Sequence, residues 1–142
     1  MPALVVGCIS PDFPYLINLT TVPAPGHTLA GLVPYCLPPS LIVLAVWYRW
    51  IERPILSLFR IQASPKPDSA ASFILLAAVA VLVGAATHAL WDSSSHRAGW
   101  LVQQNAWLRY EVANIPLYMW NQNLGGIFGS LGILLWYLCW RT

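Results

Sequence analysis

The stretch Ser72–Trp91, SFILLAAVAVLVGAATHALW, contains no Asp, Glu, Lys or Arg. As an α-helix it measures about 30 Å at 1.5 Å per residue, the thickness of a bilayer's hydrocarbon core. Its small residues, Ala77, Ala78, Ala80, Gly84, Ala85 and Ala86, let another helix approach closely. This segment reads as a membrane helix. It runs on into Asp92–Trp100, DSSSHRAGW, where polarity returns. His88, Asp92 and His96 are spaced four and four. Four residues advance a helix by about 40° beyond one full turn, so these three share a face. A carboxylate between two imidazoles on one face can converge on a cation. Helix is expected to continue through Asp92 towards His96 and to end before Gly99.

The rest of the composition agrees. Charged residues make up 8% of the 142-residue chain and hydrophobic residues 58%. A soluble domain carries about 25% charged residues. The expected fold is an all-α integral membrane protein, one membrane domain over residues 1–142. About three transmembrane helices and short interfacial helices make it up. A formal net charge of +2 provides no basic field for nucleic acid. Cys8, Cys36 and Cys139 are odd in number and lack CxxC spacing, so they read as buried thiols rather than a disulfide framework. The sequon Asn18-Leu19-Thr20 is short enough to arise by chance and carries no weight.

The expected spans lie near residues 30–48, 72–91 and 124–140. Met1–Ile9 is apolar but too short to cross, and lacks the basic flank and cleavage site of a signal peptide. Ser10-Pro11-Asp12 should stop it. Pro11, Pro14, Pro23 and Pro25 should then keep the chain out of helix as far as Gly26. In the first span, Pro34, Pro38 and Pro39 predict a kink or a helix start near Pro38. Residues 49–68 read as a loop with a short interfacial helix over Ile55–Ile61, and Asp68 or Ser69 can cap the next helix. Residues 92–123, rich in Trp and Tyr, read as a partly helical interfacial layer broken at Pro116. In the last span Gly125, Gly126, Gly129 and Gly132 form a stripe suited to close packing.

Basic residues set the orientation. The segment 49–71 holds Arg49, Arg53, Arg60 and Lys66, and Arg141 follows the last span. These regions should be cytoplasmic, with the N-terminal loop and 92–123 outside. Asp12, His27, His88, Asp92 and His96 then fall on one side of a multi-pass cell-membrane protein, with lipids as its neighbours.

Imidazole and carboxylate together suit zinc, with iron or manganese as other possibilities. Three or four protein ligands with one open position can activate water. The bland alternative is a set of interfacial polar residues that cap helices or are simply solvated. Arg49, Glu52 and Arg53 read as membrane-edge anchors, and Arg109 and Glu111 as interfacial. Ser93-Ser94-Ser95 lacks the glycines of a nucleophile elbow and reads as a helix end.

Several pieces carry a family resemblance. They are Ser10-Pro11-Asp12-Phe13-Pro14-Tyr15, His27-Thr28-Leu29-Ala30-Gly31, Leu37-Pro38 and Arg53-Pro54-Ile55-Leu56. They continue with Gly84-Ala85-Ala86-Thr87-His88-Ala89-Leu90-Trp91-Asp92, His96, Gly99-Trp100, Ile115-Pro116-Leu117-Tyr118 and Gln122. Over essentially its whole length the chain resembles the bacterial membrane proteins grouped as domain of unknown function 4184. That family is similar to membrane-bound metal-dependent hydrolases and, distantly, to zinc-dependent phospholipase C. The resemblance implies Asp12, His27, His88, Asp92 and His96 as metal ligands. The family itself carries no established activity; the expected function is a metal-dependent hydrolase acting on a phosphoester or lipid headgroup at the membrane surface. The alternative is a non-catalytic membrane protein whose cluster is structural or binds metal without turnover. Comparable members begin with a Ser-His-Pro or Ser-His-Ala segment, whereas this chain starts Met1-Pro2-Ala3-Leu4. The expectation is a native start some twenty residues earlier, with one more His.

Overall fold

The computed structural model describes residues 2–18, 25–62, 67 and 69–141. The sequon's Thr20, the prolines at 23 and 65, Lys66 and Asp68 lie outside the described residues. Helix dominates, and three helical segments are long and apolar enough to cross a membrane: Leu32–Phe59, Ala70–Gln104 and Leu117–Cys139. The all-α, membrane-protein expectation holds. The chain forms two compact units, Met1–Ala89 and Leu90–Thr142.

In the first unit, α1 (Pro2–Ile9) passes directly into a 3-10 turn at Ser10–Asp12 and then α2 (Phe13–Asn18). This corrects the expected break. Pro11 sits at the start of the 3-10 turn, where a missing N–H costs nothing, and its fixed φ suits helix. Ser10 is buried and donates to the Gly7 carbonyl at 2.8 Å, which holds the turn against the end of α1.

The first long segment carries α3 (Leu37–Val46) and α4 (Glu52–Phe59), with wide π turns at Leu32–Cys36 and Trp47–Ile51. Both π turns have the same cause. A helical proline ring collides with the carbonyl four residues back. For Pro38 and Pro39 those carbonyls belong to Pro34 and Tyr35, inside the first π turn. For Pro54 it belongs to Trp50, inside the second. Widening the turn makes room, so helix persists where a loop was expected from residue 49. It ends at Arg60, left-handed at φ 54°, whose N–H reaches the Leu56 and Ser57 carbonyls.

Helix α5 (Ala70–Ser95) is capped by Ser69, whose Oγ accepts the Ser72 N–H at 3.0 Å. Ala77, Val81 and Ala85 on α5 are buried. Ala77 and Val81 pack with Ala3 and Leu44, and Ala85 packs with Leu32 and Cys36. Helices α1 and α5 cross at close range. A Cβ on Gly84 would lie 2.4 Å from the Leu4 carbonyl oxygen and 2.8 Å from the Cys8 nitrogen. One on Gly7 would lie 2.3 Å from the Val81 carbonyl oxygen. Two glycines thus let the two backbones touch.

In the second unit the end of α5 is followed by α6 (Trp100–Gln104), a 3-10 turn at Ala106–Arg109, and a two-stranded hairpin. The hairpin pairs β1 (Glu111–Val112) antiparallel with β2 (Ile115–Pro116). Helix α7 (Leu117–Arg141) closes the unit. The hairpin corrects the reading of Pro116 as a helix break. Ala113 and Asn114 have φ of 54° and 62°, positive at both central residues as a type I′ turn requires. Pro116 then ends the strand immediately before α7, so the last helix begins earlier than residue 124. Of the glycine stripe, Gly125 packs against the Trp91 ring, while Gly126, Gly129 and Gly132 face open space. Arg109 donates to the Gln103 carbonyl at 3.1 Å, a local structural bond.

Candidate metal centre

Asp12 ends the 3-10 turn that continues α1, so the Gly7–Gly84 crossing fixes where its carboxylate stands. His88 lies on α5 one turn beyond Gly84. Between them, Thr87 donates to the Gly84 carbonyl at 2.8 Å and its Oγ1 lies 3.9 Å from Cys8 Sγ. The Thr87-His88 pair therefore has one residue tied to α1 and the next presenting an imidazole.

His27 arrives on a separate turn, Pro25–His27, whose closure explains the His-Thr-x-x-Gly pattern. Thr28 Oγ1 donates to the Pro25 carbonyl at 2.8 Å and accepts the Gly31 N–H at 3.0 Å. A Cβ at Gly31 would strike the Pro25 carbonyl oxygen, so only glycine closes this buckle. Behind it, Gly26 is buried beside Pro11 and its carbonyl accepts from Cys36 Sγ at 3.6 Å. The turn carrying His27 is thereby braced on the turn carrying Asp12.

The result is one carboxylate facing two imidazoles. Asp12 Oδ1 is 3.3 Å from His27 Nε2, and Asp12 Oδ2 is 3.6 Å from His88 Nε2. The two rings meet edge to face at 5.4 Å, and Tyr15 backs His27 at 5.8 Å. One ligand atom from each of Asp12, His27 and His88 lies within 4.8 Å of the others, and the same group takes in Asp92. Helix α5 itself delivers Asp92, one turn on from His88. The four residues are half-buried.

The donor set fits a divalent cation. Charge-assisted N–H···O bonds run about 2.7–2.9 Å. Neighbouring ligands of a tetrahedral ion at about 2.0–2.1 Å are roughly 3.3–3.4 Å apart. The Asp12–imidazole separations match the second spacing better than the first. Two neutral imidazoles and two carboxylates also balance a doubly charged ion.

Of the five residues expected as ligands, Asp12, His27, His88 and Asp92 converge. His96 is placed differently: α5 ends at Ser95, and His96 Nδ1 faces Asp92 Oδ1 at 3.4 Å. Ser93, Ser94 and Ser95 donate to the Leu90 or Trp91 carbonyls, as expected of a helix end. Sequence reasoning missed the supports: Gly7, Gly26 with Cys36, and Asn121, whose Nδ2 donates to Ser94 Oγ at 3.1 Å. These are tertiary contacts between distant segments, and no local spacing announces them.

A family model described as Domain of unknown function (DUF4184) matches residues 1–142. No curated protein and no solved structure matches the chain.

Proposed function

The chain belongs to the family described as Domain of unknown function (DUF4184), and from the geometry of its polar cluster we propose that it is a membrane-embedded, metal-dependent hydrolase. Its substrate class is a phosphoester or lipid headgroup at the outer surface of the cell membrane. The observation that carries the reading is Asp12 set between the Nε2 atoms of His27 and His88 at ligand-to-ligand spacing. Asp12, His27, His88 and Asp92 would hold the cation. A bound divalent ion supplies Lewis acidity, which lowers the pKa of water and polarises a phosphoryl oxygen.

The chain's own residues do the rest. The Thr28–Gly31 buckle and the Gly7–Gly84 crossing hold the donors in place before any ligand arrives, which limits reorganisation on binding. The apolar length of α5 and the exposed aromatic side chains Trp91, Trp100 and Trp107 suit a membrane boundary, where a lipid headgroup would lie.

The test is metal content followed by turnover. Protein purified in detergent should carry about one zinc per chain by elemental mass spectrometry. It should cleave a lipid phosphoester in mixed micelles, lose that activity to a chelator and regain it with zinc. Metal without turnover would favour the non-catalytic alternative. Absence of any divalent metal under zinc-replete conditions would refute the reading.

A further inference from the structure

A groove of about 360 Å³ opens where the second wide turn meets the start of α5. Its walls are Tyr48, Pro67, Ser69, Ala70, Phe73 and Ile74. Tyr48 meets Phe73 edge to face with ring centroids 5.0 Å apart, which joins the turn Trp47–Ile51 to α5. The volume falls within the range of small-molecule sites, about 300–1,000 Å³. Ser69 gives the groove little polarity, because its hydroxyl donates to Ser72 Oγ at 2.8 Å and accepts the Ser72 N–H at 3.0 Å. The other lining side chains are aromatic or aliphatic. Ile74, Leu75 and Leu76 are exposed, so the groove opens onto the apolar surface of a membrane helix. Phe73 precedes His88 by fifteen residues on α5, about 22 Å along the helix axis. Groove and metal centre are therefore separate.

Charge gathers at the groove's end of the helix. Arg49 follows Tyr48 directly, and its guanidinium lies 5.8 Å from the Trp50 ring centroid. The Glu52 N–H bonds the Trp47 carbonyl five residues back, so Arg53 stands one wide turn on from Tyr48. Arg49, Arg53 and Arg60 are exposed, and Glu52 is the one carboxylate in the sequence between Trp47 and Arg60. On α4, exposed Ile55, Leu58 and Phe59 share one face, with Arg53 and Ser57 on the opposite face. An amphipathic helix of this kind lies in the bilayer boundary, its apolar side in hydrocarbon and its guanidinium groups level with the lipid phosphates. Positive charge beside an apolar groove matches a ligand with a hydrocarbon tail and an anionic head. We propose that the groove holds one acyl chain of an anionic phospholipid whose phosphate is bound by Arg49 and Arg53. The planar guanidinium fork pairs with two phosphate oxygens at once. This lipid is a resident ligand that braces the second wide turn against α5, and its binding is independent of the metal-centre reading.

Native mass spectrometry of the full-length protein tests this. Protein stripped of lipid in detergent and titrated with dioleoyl phosphatidylglycerol should bind one lipid per chain, more tightly than it binds phosphatidylcholine with the same acyl chains. The double variant R49Q/R53Q should lose about 30-fold in affinity for phosphatidylglycerol, the contribution of two arginines near an anionic headgroup, and bind the two lipids alike. Phosphatidylglycerol carrying a diazirine at the end of one acyl chain should, on irradiation, label Ala70–Ile74 in the wild-type protein, and equally in D12N. Equal wild-type affinity for the two lipids would overturn the proposal, as would R49Q/R53Q binding phosphatidylglycerol like the wild type. Labelling that misses Ala70–Ile74 would overturn the groove as its seat. Labelling lost in D12N would move the lipid to the metal centre and overturn the proposal in the same way.

Discussion

Replacing Gly84 by Ala probes whether the helix crossing builds the site. The added Cβ would stand 2.4 Å from the Leu4 carbonyl oxygen and 2.8 Å from the Cys8 nitrogen. Both are backbone atoms and cannot rotate away. Ordinary contact requires about 3.4 Å, so α1 must withdraw by about 1 Å. Overpacking of this kind costs about 1–3 kcal/mol. The intrinsic preference of helix for Ala over Gly offsets about 0.8–1.0 kcal/mol. The net expectation is a loss of up to about 2 kcal/mol, seen as a lower thermal midpoint in detergent. The displacement matters more than the energy. Asp12 follows α1 through a single 3-10 turn, and its separations from the imidazoles are 3.3 and 3.6 Å. A shift of about 1 Å breaks shared coordination, so zinc affinity should fall about 10-fold or more, as when a supporting partner is lost. Gly129→Ala, whose Cβ meets nothing within 4 Å, is the matched control: it gains the helix preference without the clash, so it should not lower the midpoint and should leave zinc affinity unchanged. A Gly84→Ala protein with wild-type midpoint and wild-type zinc affinity would show that the crossing does not position Asp12.

Asp12→Asn should abolish zinc retention through gel filtration while leaving the far-ultraviolet circular dichroism unchanged, because this side chain is 40% exposed and contributes little packing. Thr28→Val removes two hydrogen bonds of the His27 buckle, at 2.8 and 3.0 Å, and should lower stability by about 1–2 kcal/mol with weaker zinc binding in the same titration. A reporter enzyme fused after Phe59 should read cytoplasmic and one fused near Ser94 external; the reverse would invert the orientation drawn from Arg49, Arg53, Arg60 and Lys66.

Much of the fold could be read from residue order because the membrane simplifies the problem. A charge-free run such as Ser72–Trp91 has few alternatives to helix in lipid. The same simplicity misled the reading of prolines. In Leu37-Pro38-Pro39 and Arg53-Pro54 they suggested interruption, whereas the chain widens a turn and stays helical. Of the site, the four-residue step from His88 to Asp92 was visible because it is local. That Asp12 and His27 join them was only implied by family resemblance. Their approach depends on Gly7 meeting Val81 and on Cys36 meeting Gly26. Pairings between distant segments leave no periodicity behind.

The two π turns bear on how this chain tolerates changes of length. Leu32, Cys36, Ser40 and Leu44 are all buried, one every fourth residue. A straight α-helix would carry such a row round its axis by about 40° at each step. A turn closed from i to i+5 holds one residue more than an α turn, and so the row is kept facing inward. Each wide turn is thus a stored insertion. Losing one residue between Leu32 and Cys36 would tighten that turn to an ordinary one and leave Ser40 and Leu44 in place. Losing one residue between Gly84 and His88 has no such reserve: it would swing His88 away from Asp12 by about 100°. Drift in length can accumulate in the proline-bearing helix, while the helix that carries His88 and Asp92 must keep its count.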